Sequence, residues 1–309
     1  MKAIVKTEHG TVEYLEIPEP SCGVRDVKIQ VMACAICTTD LHIADGNYPW
    51  EAGVPLGHEY TGVIVETGAE VRDFVVGDHV AACMDGGFAR YVVKREDDWV
   101  FHLPDSVSYE EGTLLEPLAA AANSVISRAQ VRPMDRILIT GPGLLGQFAL
   151  QAAKLAGARV MVSGMDAERL RIAAEHGADV TVDLGMQDLH EEVKRFTEGE
   201  WLDTVIECSG SQQALSSGLA LLRYDGQLIQ VGIPAGALTV DIGALVYNNR
   251  KIIGSIAYDR AMWKRVLAMA DRGEIDLKGY VSSVLPLDHW EEGFQRSREK
   301  NGFRVLLIP

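Results

Sequence analysis

Apolar positions along the chain fall into two regimes. Through the first third they come in short runs, at residues 27–32, 62–67, 78–83 and 89–93, cut by Gly, Pro and Asp. Runs of that length with such punctuation predict a compact, mostly β domain. The pattern changes near Pro133. From there, short apolar strands at 136–140, 159–163, 179–182, 204–207, 227–231 and 251–256 alternate with helical stretches at 144–155, 167–176, 188–196 and 212–222. That alternation predicts βαβ units in a doubly wound parallel sheet, an α/β fold of Rossmann type. Beyond Tyr258 the pattern predicts one more helix, 261–272, then β-like pieces ending at 304–308. The tail is too short to bury a core of its own, so it is expected to return to the first domain.

Bulk composition narrows the partners. At 309 residues the chain is long enough for two domains, and 47% hydrophobic with 24% charged residues is ordinary for a soluble globular protein. A net charge of −15 argues against nucleic acid or an anionic membrane as the main partner. The first residues, Met1-Lys2-Ala3-Ile4-Val5-Lys6, carry no signal-peptide core, and no apolar run is long enough to span a bilayer. Five cysteines, Cys22, Cys34, Cys37, Cys83 and Cys208, are scattered and odd in number. That is no disulfide framework, and a cytoplasmic location is expected.

Two stretches carry candidate chemistry. Gly141-Pro142-Gly143-Leu144-Leu145-Gly146 follows a strand and opens a helix, the context that makes such a run a dinucleotide cradle. The first glycine allows a tight turn, the second lets the backbone approach pyrophosphate, and the third lets helix pack on strand. Pyrophosphate then meets free N–H groups at the helix N-terminus. A carboxylate that binds the ribose hydroxyls of NAD is expected about 20 residues on, at the end of the second strand. Gly164 stands in its place, with Asp166 two residues late and Arg169 one turn further. With less to repel a 2′-phosphate, the balance tilts slightly toward NADP, and both NAD and NADP stay open. The second stretch is a donor set. Cys37 offers a thiolate, His58 an imidazole, and Glu59 or Glu116 a carboxylate, all types that zinc accepts.

The segments Cys37-Thr38-Thr39-Asp40-Leu41-His42, Gly57-His58-Glu59-Tyr60-Thr61-Gly62 and Gly77-Asp78-His79-Val80 resemble the zinc-dependent medium-chain dehydrogenase/reductase family. So do Gly87-Phe88-Ala89-Arg90-Tyr91-Val92-Val93 and Glu207-Cys208-Ser209-Gly210, and the resemblance runs the length of the chain. Leu115-Glu116-Pro117-Leu118 is similar to the sorbitol, or polyol, dehydrogenase branch. The resemblance implies a β-rich, chaperonin-like (GroES-like) catalytic domain over 1–122 and 259–309, a Rossmann domain over 123–258, and an active site in the cleft between them. It implies that Cys37 and His58 ligate one catalytic zinc, with Glu59 and Glu116 bound directly or through water. Asp40 would orient His58. Thr39 and His42 would relay the proton released from an alcohol whose pKa the zinc lowers, although a solvated surface role for His42 also stands. The backbone at Val231, Gly232 and Ile233 would receive the nicotinamide carboxamide. A homodimer or homotetramer is implied, paired through the sheet edge near residues 237–242.

Two departures qualify the resemblance. Members with a second, structural zinc carry a four-cysteine lobe, where this chain has only Cys83-Met84-Asp85. No structural zinc is therefore expected. Ala257 stands where the polyol branch often has an arginine, so sugars, polyols and secondary alcohols all remain open. Two other readings stand beside the zinc alcohol or polyol dehydrogenase. A zinc-free quinone or enone reductase would lack Cys37, His58 and Glu59, and a non-catalytic nucleotide-binding protein would have lost its ligands. Tyr48 and Trp50 either line the substrate pocket or pack on the core. His79, His102, His176 and His289 have no partner pattern and are expected to be surface or structural residues.

Overall fold

The computed structural model describes residues 1–300 and 302–309. The chain opens with β1 (Lys2–Lys6), β2 (Val12–Glu16), β3 (Asp26–Ala35), α1 (Thr38–Ala44), β4 (Glu59–Thr67), β5 (His79–Cys83), β6 (Tyr91–Arg95) and β7 (Val100–His102). Two helices follow, α2 (Tyr109–Gly112) and α3 (Leu115–Asn123), the second running into a π-helical turn, Ser124–Arg128. Then come β8 (Arg136–Thr140), α4 (Leu144–Leu155), β9 (Arg159–Gly164), α5 (Ala167–Glu175), β10 (Val180–Asp183), α6 (Leu189–Phe196), β11 (Leu202–Glu207), α7 (Gln212–Ala220), β12 (Leu222–Gln230), α8 (Ile242–Tyr247) and β13 (Lys251–Gly254). The chain closes with α9 (Arg260–Asp271), β14 (Val281–Pro286), α10 (Trp290–Glu299) and β15 (Arg304–Ile308).

These elements divide into two compact units, one of Met1–Glu116, Leu267–Gly273 and Leu277–Pro309, the other of Pro117–Val266 and Glu274–Asp276. In the first unit a seven-stranded sheet runs β14-β15-β3-β4-β5-β7, with β6 on β3, beside the hairpin β1-β2. β3 is ten residues long with none of them exposed, and it is the spine of the sheet. β15 lies antiparallel to β3, pairing Leu306 with Ala35, so the far end of the chain completes this sheet. The core gathers Ile29, Ile36, Leu56, Tyr60, Ile64 and Phe88.

α10 departs from the pattern expected for the tail, which held one helix and then strands. Only Trp290 and Phe294 repeat at helical spacing among charged residues, too thin a stripe to announce a helix. Packing of Phe294 in the core forms it regardless.

The second unit is a six-stranded sheet in the order β10-β9-β8-β11-β12-β13, every neighbouring pair parallel. Strands of such a sheet are covered on both faces and read as continuous apolar runs. Ile137–Ile139 and Val160–Val162 are accordingly buried throughout. The order reverses between β8 and β11, which makes a crevice beyond their carboxyl ends, the usual place for a ligand in such sheets. Among the described residues no helix is long and apolar enough to cross a membrane.

At the opposite ends of the same strands, one acid ties three of them together. Asp203, the second residue of β11, accepts from Arg136 of β8 through both the backbone N–H and the guanidinium, and from Arg223 of β12. Burial pushes its carboxyl up, but these bonds outweigh it and hold the pKa at about 2. A carboxyl lowered on folding contributes stability that is complete above its unfolded value, near 3.8, and is lost as pH falls toward 2. Asp203→Asn should cost about 1–2 kcal/mol at neutral pH, with solvent screening allowed for. Denaturant titrations of both proteins between pH 5 and about pH 2 should show their stabilities converging as the pH falls. A constant gap would remove the ion pairs from the account.

Candidate active site

The first unit assembles its donor set from three segments. Cys37 leaves β3 and caps the start of α1, whose second residue is Thr39. His58 and Glu59 enter β4, and the antiparallel register sets Glu59 opposite Ala35 of β3. β15 lies on the other side of β3, which brings its first residue, Arg304, alongside. The three ligand atoms of Cys37, His58 and Glu59 all lie within 4.8 Å of one another. Asp40 is fully buried and ties two of the segments: one oxygen accepts the Cys37 N–H at 2.8 Å, the other the Gly57 N–H at 3.3 Å. The second oxygen also stands 3.5 Å from His58 Nδ1, which makes no hydrogen bond.

Arg304 is the residue that no motif announces. Its guanidinium donates to Glu59 Oε1 at 2.8 Å and reaches Cys37 Sγ at 3.9 Å. Burial pushes the Glu59 carboxyl up, Arg304 pulls it partly back, and its pKa stands at about 8. Burial would raise the Cys37 thiol as well, yet Arg304 and His58 more than offset it and bring the thiol down to about 7. The His58 imidazole loses charge stability to burial and regains more from Asp40 and Cys37, so it is raised.

The donors fit a metal ion. Ligands bound at about 2.0–2.3 Å to zinc stand no more than about 4.6 Å apart, and the 4.8 Å span of these three atoms is within a few tenths of an ångström of that. Glu59 Oε2 is buried with no hydrogen-bond partner, a costly state for a polar atom unless something occupies it. Glu116 is outside this group of three. It stands in the first turn of α3, and its charge is felt by Arg304.

Thr39 is half-buried, with its hydroxyl 3.8 Å from Cys37 Sγ. His42 follows three residues later on the same face of α1. Trp50 packs against the core and donates its indole N–H to Val54 O, whereas Tyr48 is exposed. Four other histidines have local company: His79 lies near the Tyr109 ring, His102 meets Asp73 O, His176 faces Asp276 and His289 faces Glu292.

In the second unit the glycine run has a cradle's geometry. Gly143 precedes α4 in extended conformation, and a Cβ there would meet nothing within 4 Å, so the approach to the helix N-terminus is open. Leu144 and Leu145 begin the helix. At Gly146 a Cβ would stand 2.1 Å from Gly141 O, which only glycine allows. Gly164 ends β9, and a Cβ there would fall 2.4 Å from the Pro142 ring. The glycine therefore answers to packing, because an acid at 164 would push on the cradle itself. Asp166 caps α5 and stands 3.4 Å from the Arg169 guanidinium, so Arg169 is already ion-paired. The Val231 and Gly232 N–H groups both donate to Glu207 O, and Ile233 beside them is exposed.

Residues 23–105 match the alcohol dehydrogenase GroES-like domain, and residues 145–272 match the zinc-binding dehydrogenase domain. A sorbitol dehydrogenase of Halalkalibacterium halodurans is 33% identical over 343 aligned positions, covering all of this chain and 99% of its own. A D-arabitol-phosphate dehydrogenase of Enterococcus avium is 31% identical, covering 99% and 97%. Among solved structures, the 2R,3R-butanediol dehydrogenase of Bacillus subtilis superposes with a TM-score of 0.90 at 27% identity, covering 100% and 99%. Two domain models in the order of the two folded units, and relatives alike from end to end, leave one assignment: the chain belongs to the zinc-dependent medium-chain dehydrogenase/reductase family, as an alcohol or polyol dehydrogenase.

Proposed function

We propose that the protein is a zinc-dependent oxidoreductase that transfers a hydride, in either direction, between NAD(P) and a secondary alcohol, polyol or sugar-type substrate. The observation that carries this reading is the trio Cys37, His58 and Glu59, with ligand atoms within 4.8 Å and Glu59 Oε2 left without a partner. Bound there, zinc would supply the Lewis acidity that makes an alcohol easier to deprotonate, and the nicotinamide would supply the hydride acceptor. The chain's own groups do the rest. Asp40 holds the Cys37 and Gly57 backbones in register, which keeps thiol and imidazole facing each other. Thr39 accepts the substrate proton and His42 passes it toward solvent. Glu116 acts from outside the trio, through water or through Arg304. A reducing compartment, the cytoplasm, suits cysteines that stay free among the described residues.

A single zinc is proposed. Only Cys83 stands where a structural lobe would hold four cysteines, and the sorbitol dehydrogenase alignment needs 343 positions for this chain's 309 residues. Elemental analysis of unchelated protein should give close to one zinc per chain. Cys37→Ser and His58→Ala should each lose the zinc and at least about a thousandfold in kcat. Glu116→Ala should lose less. Cofactor affinity serves as the fold control and should be retained. Two tightly held zincs, or activity that survives loss of the metal, would defeat the reading.

For the cofactor, the absence of an acid at Gly164 supports a pocket that accepts both NAD and NADP. The ratio of kcat/KM for the two should then stay well within about a thousandfold. A larger preference for NAD would assign ribose recognition to Asp166 instead.

The active form is proposed to be a homodimer or homotetramer. Ile242, Val246 and Tyr247 of α8 are exposed, and β13 forms an open edge of the sheet next to them. Exposed edges and apolar clusters of this kind are normally covered. The nearby segment 237–242, where pairing was expected, is irregular until α8 begins, and Gln212 holds the Thr239 backbone at both N–H and C=O. Light scattering at micromolar concentration should find no monomer in the wild type, and Val246→Arg should release one. A wild-type monomer would contradict the proposal.

A further inference from the structure

Glu207 ends β11 and is fully buried, beside the point where the strand order reverses. All the partners of its side chain donate to it. Thr140 Oγ1 of β8 donates at 3.2 Å and the Ser209 N–H at 2.7 Å, with the Ser209 hydroxyl beside it. The Gly210 N–H is shared between both oxygens, at 3.1 and 2.9 Å, and the amide of Gln230 in β12 donates to Oε2. The backbone of the same residue works in parallel. Glu207 O accepts the Val231 N–H at 2.9 Å and the Gly232 N–H at 2.8 Å. Gln230 closes the ring by donating to Gly232 O at 2.7 Å.

Together these contacts fix the chain after β11 against the chain after β12. The two meet backbone to backbone, since a Cβ on Gly232 would fall 2.3 Å from Gly210 N. The phosphate cradle has its own anchors: the Gly141 N–H donates to Ser163 O at 2.9 Å, and the Gln147 amide donates to Pro142 O at 3.3 Å.

We propose that Glu207 is a positioning residue for the nicotinamide end of the cofactor, rigidifying the backbone at Val231, Gly232 and Ile233 that would receive it. This rests on the reading that the protein binds NAD(P) with its carboxamide at that backbone. The carboxylate matters because it is purely an acceptor. In Glu207→Gln one oxygen becomes an NH2 aimed at donors, with almost no change of shape. The cradle keeps its bonds.

The test separates the two ends of the cofactor. Affinities of the intact protein are measured for NADH and for ADP-ribose, which lacks nicotinamide, or for NADPH and 2′-phospho-ADP-ribose if that pair binds more tightly. Glu207→Gln should weaken the reduced dinucleotide by about tenfold or more, the scale of a lost hydrogen bond to a charged group, and leave ADP-ribose within about twofold. Gln230→Met, which keeps the carboxylate but cuts its link to Gly232, should give a smaller loss of the same selective kind. It keeps the test open if Glu207→Gln fails to fold. Equal weakening of both ligands, or of neither, overturns the inference. Wild-type protein that binds no member of either pair would instead overturn the reading as a nicotinamide enzyme, and this inference with it.

Discussion

Arg304 reaches Glu59 at 2.8 Å from the first position of β15, and the cluster around Cys37 depends on that contact. Glu59 and Asp40 are buried, and Cys37 and Glu116 are half-buried near them. Acidic groups gathered out of water repel one another and resist ionisation. A guanidinium beside them makes a thiolate accessible near neutrality, with Cys37 at about 7. Arginine suits the place because it keeps its charge when buried and can serve two acceptors at once. Removing one partner of such a buried pair typically costs about 3–5 kcal/mol, because the other charge is left exposed to a low dielectric.

In the second unit the same logic acts at both ends of three strands. Asp203 joins β8, β11 and β12 where they begin, and Glu207 joins them where they finish. Parallel strands need long crossovers between them and gain no help from tight turns. Two satisfied carboxylates, one at each end, supply the lateral fixing that turns would supply elsewhere. The end with Asp203 is partly open to solvent, while the end with Glu207 is dry and lies where a ligand would bind.

Much of this was legible in the residues. α4 is readable to both its bounds because the glycines mark its start and the strand before it is continuously apolar. β15 is equally plain. β12 begins five residues earlier than its apolar run suggests, because the sheet register shifts opposite it and Asp225 takes a left-handed conformation. α8 buries none of its residues, so no amphipathic stripe exists to read. Within the site, Cys37, His58 and Glu59 are visible because their spacing is a motif. Arg304 is not, since a lone arginine opening the apolar run Val305-Leu306-Leu307-Ile308 looks like any strand end facing water. Only the pairing of β15 with β3, across almost the whole sequence, turns it inward.

That pairing sets an order of events. Cys37 and Arg304 are separated by 267 positions, so a chain emerging from the ribosome exposes its thiol and acids long before their counter-ion exists. Until β15 arrives, β3 also lacks one of its neighbours in the sheet. Chains cut short anywhere before residue 304 carry an uncompensated acidic cluster and an open strand edge, two marks by which quality control can recognise them. Arrival of β15 is thereby written into the chemistry of the site.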